Sequence, residues 1–190
     1  NDGAGGTGIC LTLTGPNTVL DLAGRTVTGR ISGTGINGNG IEIYSSAAGA
    51  AVNCTTDLST NGCVKISSTS AYTALARIHH FTVHNAGDGT PDSTHSPRAM
   101  HFSYTPAAAN NLLLRVDHMT CAIPATDASS LRSICANIGF SNQVRVDHND
   151  FTCNGSAYAC NTIQLIPVDS VIYAQADHNR LNLQTLVVSS

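Results

Sequence analysis

Three stretches of the sequence repeat one four-residue pattern at a fixed interval, and this repeat decides the fold. They are Arg115-Val116-Asp117-His118, Arg145-Val146-Asp147-His148 and Gln175-Ala176-Asp177-His178, each 30 residues after the one before. Related copies occur at Arg77-Ile78-His79-His80 and, more weakly, at Leu20-Asp21-Leu22. Units this short cannot bury a core alone and must stack on their neighbours. The repeat predicts an all-β solenoid of about six coils that spans residues 1–190 as one domain.

The expected coil consists of a strand, a turn, a second strand and a loop of variable length. Alternating apolar segments place the starts of the units near residues 10, 40, 63, 99, 135 and 160. On this frame, Gly40-Ile41-Glu42-Ile43 opens the second unit, although that unit lacks the Arg-Val-Asp-His pattern. A β-sandwich is the alternative, but it does not predict gapless 30-residue repeats of one motif.

Composition narrows the class of protein. Only 11% of the residues are charged, against a usual ~25%, and the chain has one Glu, one Lys and no Trp. Strong helix formers are therefore rare, which argues against a helical bundle. No apolar run approaches the ~18 residues of a transmembrane helix, so no membrane insertion is expected. The net charge of −3 argues against a nucleic-acid partner.

Six of the seven cysteines form three couples that are close in sequence, which predicts local disulfides. The couples are Cys54–Cys63, Cys121–Cys135 and Cys153–Cys160. Zinc binding is the alternative, but no CxxC or HxxxC spacing occurs. Disulfides predict an oxidising, extracellular location, either secreted or at the cell surface. Asn53 and Asn154 fit the N-glycosylation pattern.

Cys10 is the seventh cysteine and is expected to be unpaired or to form an intermolecular bond. The sequence has no initiator Met and no signal peptide, so we expect either a mature subunit or a fragment of a longer solenoid.

The segment from Gly15 to Gly29, GPNTVLDLAGRTVTG, resembles the opening coil of secreted right-handed parallel β-helix proteins. The later Val-Asp-His-Asn phrases resemble their inner coils, and Arg145-Val146-Asp147-His148 is similar to a phrase of pectate-lyase-like chains. The resemblance implies a single-stranded right-handed parallel β-helix. It implies little about function, because this fold carries lyases, hydrolases, adhesins and structural proteins. The Arg-x-Pro-x-x-Arg phrase of the lyases is absent.

Stacking would turn each repeat position into a ladder with a rung every ~4.8 Å. Val116, Val146 and Ala176 are expected to point inward with Ile78. The flanking arginines and aspartates would then point outward as a surface charge ladder. The alternative is a Ca²⁺ or acidic-sugar site, because hard carboxylate oxygens suit Ca²⁺. Residues for such a site are Asp117, Asp147, Asp177, Arg115 and Arg145.

The histidines that end the repeats predict a second ladder. By parity they should share the inward row, as neutral imidazoles at a corner, with metal ligation as the alternative. Asn149 and Asn179 are candidates for a short Asn ladder that satisfies turn backbone groups. Thr82, Thr120 and Thr152 suggest a single file of threonines. The members of the histidine ladder are His80, His118, His148 and His178.

The longest loop, from His84 to Arg98, also gathers polar side chains. It contains Asp88, Asp92 and His95, which make it a second candidate for a cation or glycan site. A solvated insertion is the alternative.

The resulting functional expectation is an extracellular structural subunit without catalysis. A short first strand, Ile9-Cys10-Leu11-Thr12-Leu13, and a last strand near 184–188 lack visible caps, which predicts end-to-end self-association. The alternatives are a polysaccharide lyase or hydrolase, or a fragment of one, and a glycan-binding or adhesive domain whose partner is an extracellular polysaccharide. No cofactor is expected apart from Ca²⁺ in those alternatives. As part of a surface ladder, Asp117→Asn should change stability by no more than ~1 kcal/mol.

Overall fold

The structure is a computed structural model that describes residues 8–14, 17–34, 40–55, 62–68, 76–86, 98–104, 113–123, 133–140, 143–153, 160–167, 173–182 and 186–188. Regular structure in these ranges consists of β-strands. In chain order they are β1 (Ile9–Leu13), β2 (Thr18–Asp21), β3 (Thr26–Thr28), β4 (Arg30–Thr34), β5 (Ile41–Tyr44), β6 (Ala51–Cys54), β7 (Val64–Ser68), β8 (Ala76–His79), β9 (Thr82–Asn85), β10 (Arg98–Tyr104), β11 (Leu113–Asp117), β12 (Thr120–Ile123), β13 (Ser133–Phe140), β14 (Gln143–Asp147), β15 (Asp150–Cys153), β16 (Cys160–Pro167), β17 (Tyr173–Asp177), β18 (Arg180–Asn182) and β19 (Leu186–Val188). These ranges contain no helix with the length and apolarity needed to cross a membrane.

The strands form three parallel sheets in which every third strand is a neighbour. Sheet A has the order β1-β4-β7-β10-β13-β16-β19, sheet B the order β17-β14-β11-β8-β5-β2, and sheet C the order β18-β15-β12-β9-β6-β3. One coil therefore contributes one strand to each sheet, and the next coil lies beside it in parallel register. The chain is a parallel β-helix of about six coils, as the repeat predicted.

Two details of the predicted coil were wrong. Each coil has three strands rather than two, and the second coil begins at β4 rather than at Gly40. Strand β5 lies in sheet B, where Ile43 is in register with Leu20 and Ile78. The alternation Ile-x-Ile is shared by every strand with one buried face, so it could not distinguish a sheet A strand from a sheet B strand.

The core is a set of apolar rows that run through the stack. In sheet B the row Ile43, Ile78, Val116 and Val146 is inaccessible to solvent, which confirms the predicted inward direction. Full burial of an aliphatic side chain stabilises by about 1.5–3 kcal/mol. Repeating such rows in every coil provides most of the driving force for stacking.

Two of the three predicted disulfides are formed. Cys54–Cys63 connects β6 to the residue before β7, and Cys121–Cys135 connects β12 to β13. The backbones of Cys153 and Cys160 end β15 and begin β16, but their side chains lie outside the described residues, so this third bond stays a prediction. Cys10 is a partly exposed thiol rather than half of a disulfide.

The cysteines and threonines do not share the single register that the sequence predicted. Cys121 is paired with Phe151, and it is Ile123 that lies beside Cys153. Likewise Thr120 lies beside Thr82 but also beside Asp150, so the file of threonines ends there. The reason is local. Met119 follows His118 directly, whereas two residues separate His148 from Phe151. The sequence pattern aligns Met119 with Phe151, and this alignment is two residues out of the observed register.

Candidate functional site

The corner between sheet B and sheet C is built from residues in the left-handed backbone conformation. The four repeat histidines adopt φ of 62° at His80, 53° at His118, 56° at His148 and 53° at His178. Non-glycine residues seldom take this conformation, and Asn, Asp and His are among the enriched exceptions. The predicted corner position is correct. The predicted inward direction is wrong, because the left-handed residue interrupts strand alternation and the imidazoles project outward.

The imidazoles stack face to face along the outside of the helix. Ring centroids are 4.6 Å apart between His80 and His118, 5.2 Å between His118 and His148, and 4.9 Å between His148 and His178. The interplanar angles are 8°, 5° and 4°, respectively. We call this row the histidine stack. Its spacing is the coil spacing, so the fold itself sets the distance between rings.

A second ladder lies behind the corner, where Asn149 and Asn179 satisfy backbone groups. Asn149 is 2% exposed; its Oδ1 accepts from the Met119 N–H at 2.9 Å. Its Nδ2 donates to the Val116 carbonyl at 3.0 Å and to Asn179 Oδ1 at 2.9 Å. Asn179 Nδ2 donates in turn to the Val146 carbonyl at 2.8 Å. The predicted Asn ladder is therefore formed, and it ties successive turns together.

The repeat arginines and aspartates interlock adjacent coils. Arg77 donates to both carboxylate oxygens of Asp117, with Nε–Oδ1 2.9 Å and Nη2–Oδ2 2.7 Å. Arg115 holds Asp147 in the same way at 3.1 and 2.8 Å. Such two-point guanidinium–carboxylate pairs are stronger than single contacts. We call this row the Arg–Asp ladder; each arginine reaches one coil forward.

The carboxylates of the Arg–Asp ladder are buried rather than exposed as predicted. Asp117 and Asp147 have no accessible side-chain surface, whereas the covering Arg77 and Arg115 are 29% exposed. Both aspartate side chains point away from the core, as predicted. Arginines from the same coil and from the preceding coil cover them. Asp177, in the last of these coils, is 26% exposed.

The buried carboxylates are strongly acidic. Burial of Asp117 opposes ionisation, but hydrogen bonds from Arg77 and His118 and the nearby positive charges outweigh it and lower its pKa to about 2. At Asp147, burial is likewise outweighed by the hydrogen bonds from Arg115 and His148, so its pKa is also below the usual value. At neutral pH both are charged acceptors.

The charged carboxylates set the tautomer of the histidine stack. Nδ1 lies 2.9 Å from Asp117 Oδ2 in His118, and 2.9 Å from Asp147 Oδ2 in His148. An ionised carboxylate only accepts, so each Nδ1 carries hydrogen. In the neutral ring Nε2 is then the acceptor.

The pattern changes in the third coil, where His79 occupies the position that Asp117 holds in the next coil. His79 Nε2 lies 2.9 Å from Glu42 Oε1, and His79 Nδ1 lies 2.6 Å from His80 Nδ1. One ligand atom from each of His79, His80 and Asp117 lies within 4.8 Å of the others, the only such three-residue group in the described ranges. We call these three residues with Glu42 the His79 cluster.

A groove beside the His79 cluster is lined by one of its members, His80. It has a volume of about 380 Å³ and is bounded by the turn from Ser45 to Ala50 on one side and by His80, His118 and Thr120 on the other. A second groove of about 240 Å³ includes Glu42 and Arg77 in its wall. The cluster therefore lies between two open depressions.

The sequence-predicted residues divide into three groups. The repeat aspartates and arginines come together as one ladder. Asn53 lies in β6, partly exposed, in register with His84. Asp88, Asp92, His95 and Asn154 lie outside the described residues. At the ends of that long loop, Asn85 donates to the carbonyl of Arg98 at 2.8 Å.

The sequence pattern does not predict the His79 cluster, because it places Glu42 at the start of a unit and not beside Arg77 in sheet B. The available signal was His79 itself, a histidine in a column where the later repeats have aspartate.

Comparison of the chain with protein-family models, curated proteins and solved structures gave no match. The parallel strand order alone therefore establishes the fold. No family match supports the resemblance to pectate-lyase-like proteins.

Proposed function

We propose that this protein is an extracellular β-helix module without catalysis that assembles end to end with further copies of itself. The observation that carries the proposal is that apolar residues in the first and last described coils are more exposed than their register partners in the inner coils. Leu20 and Val27 are partly exposed, whereas their register partners Ile43 and Val52 are inaccessible to solvent. At the other end Ala176 and Leu181 are partly exposed in the same way.

Continuity of the ladders favours a second copy as the occupant of these ends. A coil from another chain could extend each sheet by the same parallel pairing that joins the internal coils. Such a joint would use different surfaces on the two partners, and repeated joints of that kind give open filaments rather than closed dimers. By register, Leu186 and Val188 continue the rows of Ile163 and Leu165 at the far end.

The state of the Arg–Asp ladder argues against a polysaccharide-cleaving enzyme at these residues. A general acid needs a pKa near the working pH, whereas that of Asp117 is about 2. Calcium takes about six to eight oxygen ligands, and the ladder cannot supply such a set because both oxygens of Asp117 and of Asp147 already accept hydrogen bonds from guanidinium groups. A structural role needs no change in these contacts, because the Arg–Asp pairs already connect adjacent coils. The two disulfides favour an oxidising compartment, consistent with secretion.

The test uses Leu20→Lys/Val27→Lys in the 190-residue chain, with Thr12→Lys as the matched control. A lysine stem at an open end can reach solvent in the monomer but not within a stacked joint. Thr12 lies on the same coil and is already exposed. We expect electron microscopy and sedimentation velocity to show filaments or concentration-dependent oligomers for the wild type and the control, and monomers with unchanged β-type circular dichroism for the double variant. A wild type that stays monomeric at high concentration would refute the proposal.

A further inference from the structure

Two adjacent histidines in the third coil depart from the chemistry of the ladder around them. In the following coils the corner histidine faces a carboxylate, as His118 faces Asp117. In this coil His80 Nδ1 instead faces His79 Nδ1 at 2.6 Å. Two imidazole nitrogens at this distance need a shared proton or a cation between them.

We propose that the His79 cluster binds one divalent transition-metal ion, with Cu²⁺ preferred. The ligands would be Nδ1 of His79 and Nδ1 of His80, which lie 2.6 Å apart, and one carboxylate oxygen of Asp117. One ligand atom from each of the three residues lies within 4.8 Å of the others. Glu42 is a positioning residue that acts through His79.

Glu42 prepares His79 for this role. Its Oε1 accepts from His79 Nε2 at 2.9 Å, so hydrogen lies on Nε2 and the lone pair lies on Nδ1. A carboxylate behind a ligating imidazole fixes its tautomer and raises its basicity. Stacking of the Tyr44 ring on His79, with centroids 5.3 Å apart, further limits rotation of the imidazole.

The distance between the two nitrogens favours copper over zinc. With bonds of ~2.0 Å, neighbouring ligands are about 2.8 Å apart in a square-planar site and about 3.3 Å apart in a tetrahedral site. The two nitrogens are 2.6 Å apart, so they would have to separate less to reach the square-planar distance than to reach the tetrahedral distance. Tetragonal sites of nitrogen and oxygen ligands are characteristic of Cu²⁺ and Ni²⁺, and Cu²⁺ binds such ligands more tightly than Ni²⁺.

Asp117 retains capacity for a ligand bond while it holds its arginine. Oδ2 accepts from Arg77 Nη2 and His118 Nδ1, and Oδ1 accepts from Arg77 Nε. A carboxylate has about four acceptor sites, so these three hydrogen bonds leave one on Oδ1, with Arg115 Nε more distant from it at 3.4 Å.

The proton balance of binding is simple. Because His79 Nδ1 is the acceptor, the shared hydrogen belongs to His80 Nδ1. When the ion takes that nitrogen, the hydrogen moves to His80 Nε2, and no proton needs to leave the protein. His80 is exposed and lines the groove of about 380 Å³, so water can complete the coordination of the ion.

The test compares His80→Asn with His148→Asn, both in a Cys10→Ser background that removes thiol chemistry with Cu²⁺. Both histidines are corner residues with positive φ, which Asn tolerates, but only His80 has a histidine before it. Calorimetry with CuSO₄ on metal-stripped protein is expected to show one tight site in the parent and in His148→Asn. Affinity should fall more than 100-fold in His80→Asn and by about 10–100-fold in Glu42→Gln.

Electron paramagnetic resonance of the Cu²⁺ protein gives a second readout. We expect a tetragonal signal with coupling to two imidazole nitrogens, reduced to one in His80→Asn. Circular dichroism of each variant controls for folding. Absence of a stoichiometric site, equal loss of binding in His148→Asn, or unchanged binding in His80→Asn would each overturn the proposal.

Discussion

At the scale of single residues, the Arg–Asp ladder converts a repulsive arrangement into a cohesive one. Stacked aspartates one coil apart would repel, and like charges directly opposite destabilise a sheet. Each carboxylate is instead covered by a guanidinium from the preceding coil, as Arg77 covers Asp117. At Asp117 and Asp147 the charge is removed from water only together with its partner, so there the ladder connects adjacent coils without leaving an unpaired buried charge.

Burial changes what should follow from substituting Asp117. Asn at this position keeps the shape but loses the charge that faces Arg77. Breaking a buried pair costs about 3–5 kcal/mol, and partial exposure of Arg77 reduces this, so we expect the free energy of unfolding to fall by about 2–3 kcal/mol. This replaces the limit of ~1 kcal/mol that the sequence suggested. Urea denaturation at pH 7 measures it.

Asp150→Asn is the matched control for this substitution. Its partner Arg180 belongs to the next coil, but that pair is exposed, with accessible fractions of 36% for Asp150 and 80% for Arg180. Exposed pairs contribute at most ~1 kcal/mol. Equal losses in Asp117→Asn and Asp150→Asn would contradict the buried ladder.

The same carboxylate predicts a dependence of stability on pH. The pKa of Asp117 is about 2 in the folded chain against 3.8 for an unperturbed Asp. A lowered folded pKa means that the contribution is complete above about pH 4 and is lost as pH falls through about 2. The loss should be about 2 kcal/mol. Denaturation from pH 5 to pH 2 should show a shallower slope in Asp117→Asn, and identical slopes would exclude the assignment.

At the scale of elements, the sequence predicted the register of sheet B wherever a copy of the repeat occurs, including the 38-residue interval between Arg77 and Arg115. It failed in sheet C and in the second coil. The 30-residue spacing of the Arg-Val-Asp-His copies aligned β11, β14 and β17 correctly. The second coil carries no such phrase, so its strand β5 was predicted to open a unit in sheet A, whereas it lies in sheet B. Outward projection of the histidine stack was also missed, because strand alternation does not hold through a left-handed corner residue.

The ladders could be predicted from the sequence, but the burial of their carboxylates could not. Residue spacing shows which side chains share a column. Whether Asp117 is covered depends on the direction that the long Arg77 side chain takes across to the next coil, and a repeat pattern does not specify it.

The Asn ladder gives an element-scale prediction. Asn149→Ala would leave the Met119 N–H and the Val116 carbonyl without their present partner inside the corner. Unsatisfied buried groups cost about 1–3 kcal/mol each, so we expect a loss of about 2–4 kcal/mol in unfolding free energy. Asn179→Ala, one coil later and more exposed, should cost less. Thermal and urea unfolding of the two variants measure this, and a larger effect at Asn179 would argue against the ladder.

At the scale of the whole molecule, stability is carried in one dimension. Among the described strands, each coil pairs only with the coils beside it, so an inner coil is covered on two sides and the first and last described coils on one. The burial of the core follows this rule, since Ile78 and Val116 are inaccessible to solvent whereas Leu20 and Leu181 are not. Local opening should therefore proceed from the ends.

Native-state hydrogen exchange followed by mass spectrometry tests this arrangement and the assembly together. In dilute protein we expect the amides of β8, β11 and β14 to be the most protected, and those of β1–β3 and β17–β19 to exchange fastest, because opening an end coil exposes less apolar surface.

If copies stack end to end, protection of the terminal strands should rise with protein concentration while that of the inner strands stays constant. The variant Leu20→Lys/Val27→Lys should abolish this concentration dependence. Uniform protection along the chain would contradict the one-dimensional arrangement. Fast exchange of the terminal strands that does not depend on protein concentration would agree with that arrangement but refute self-association.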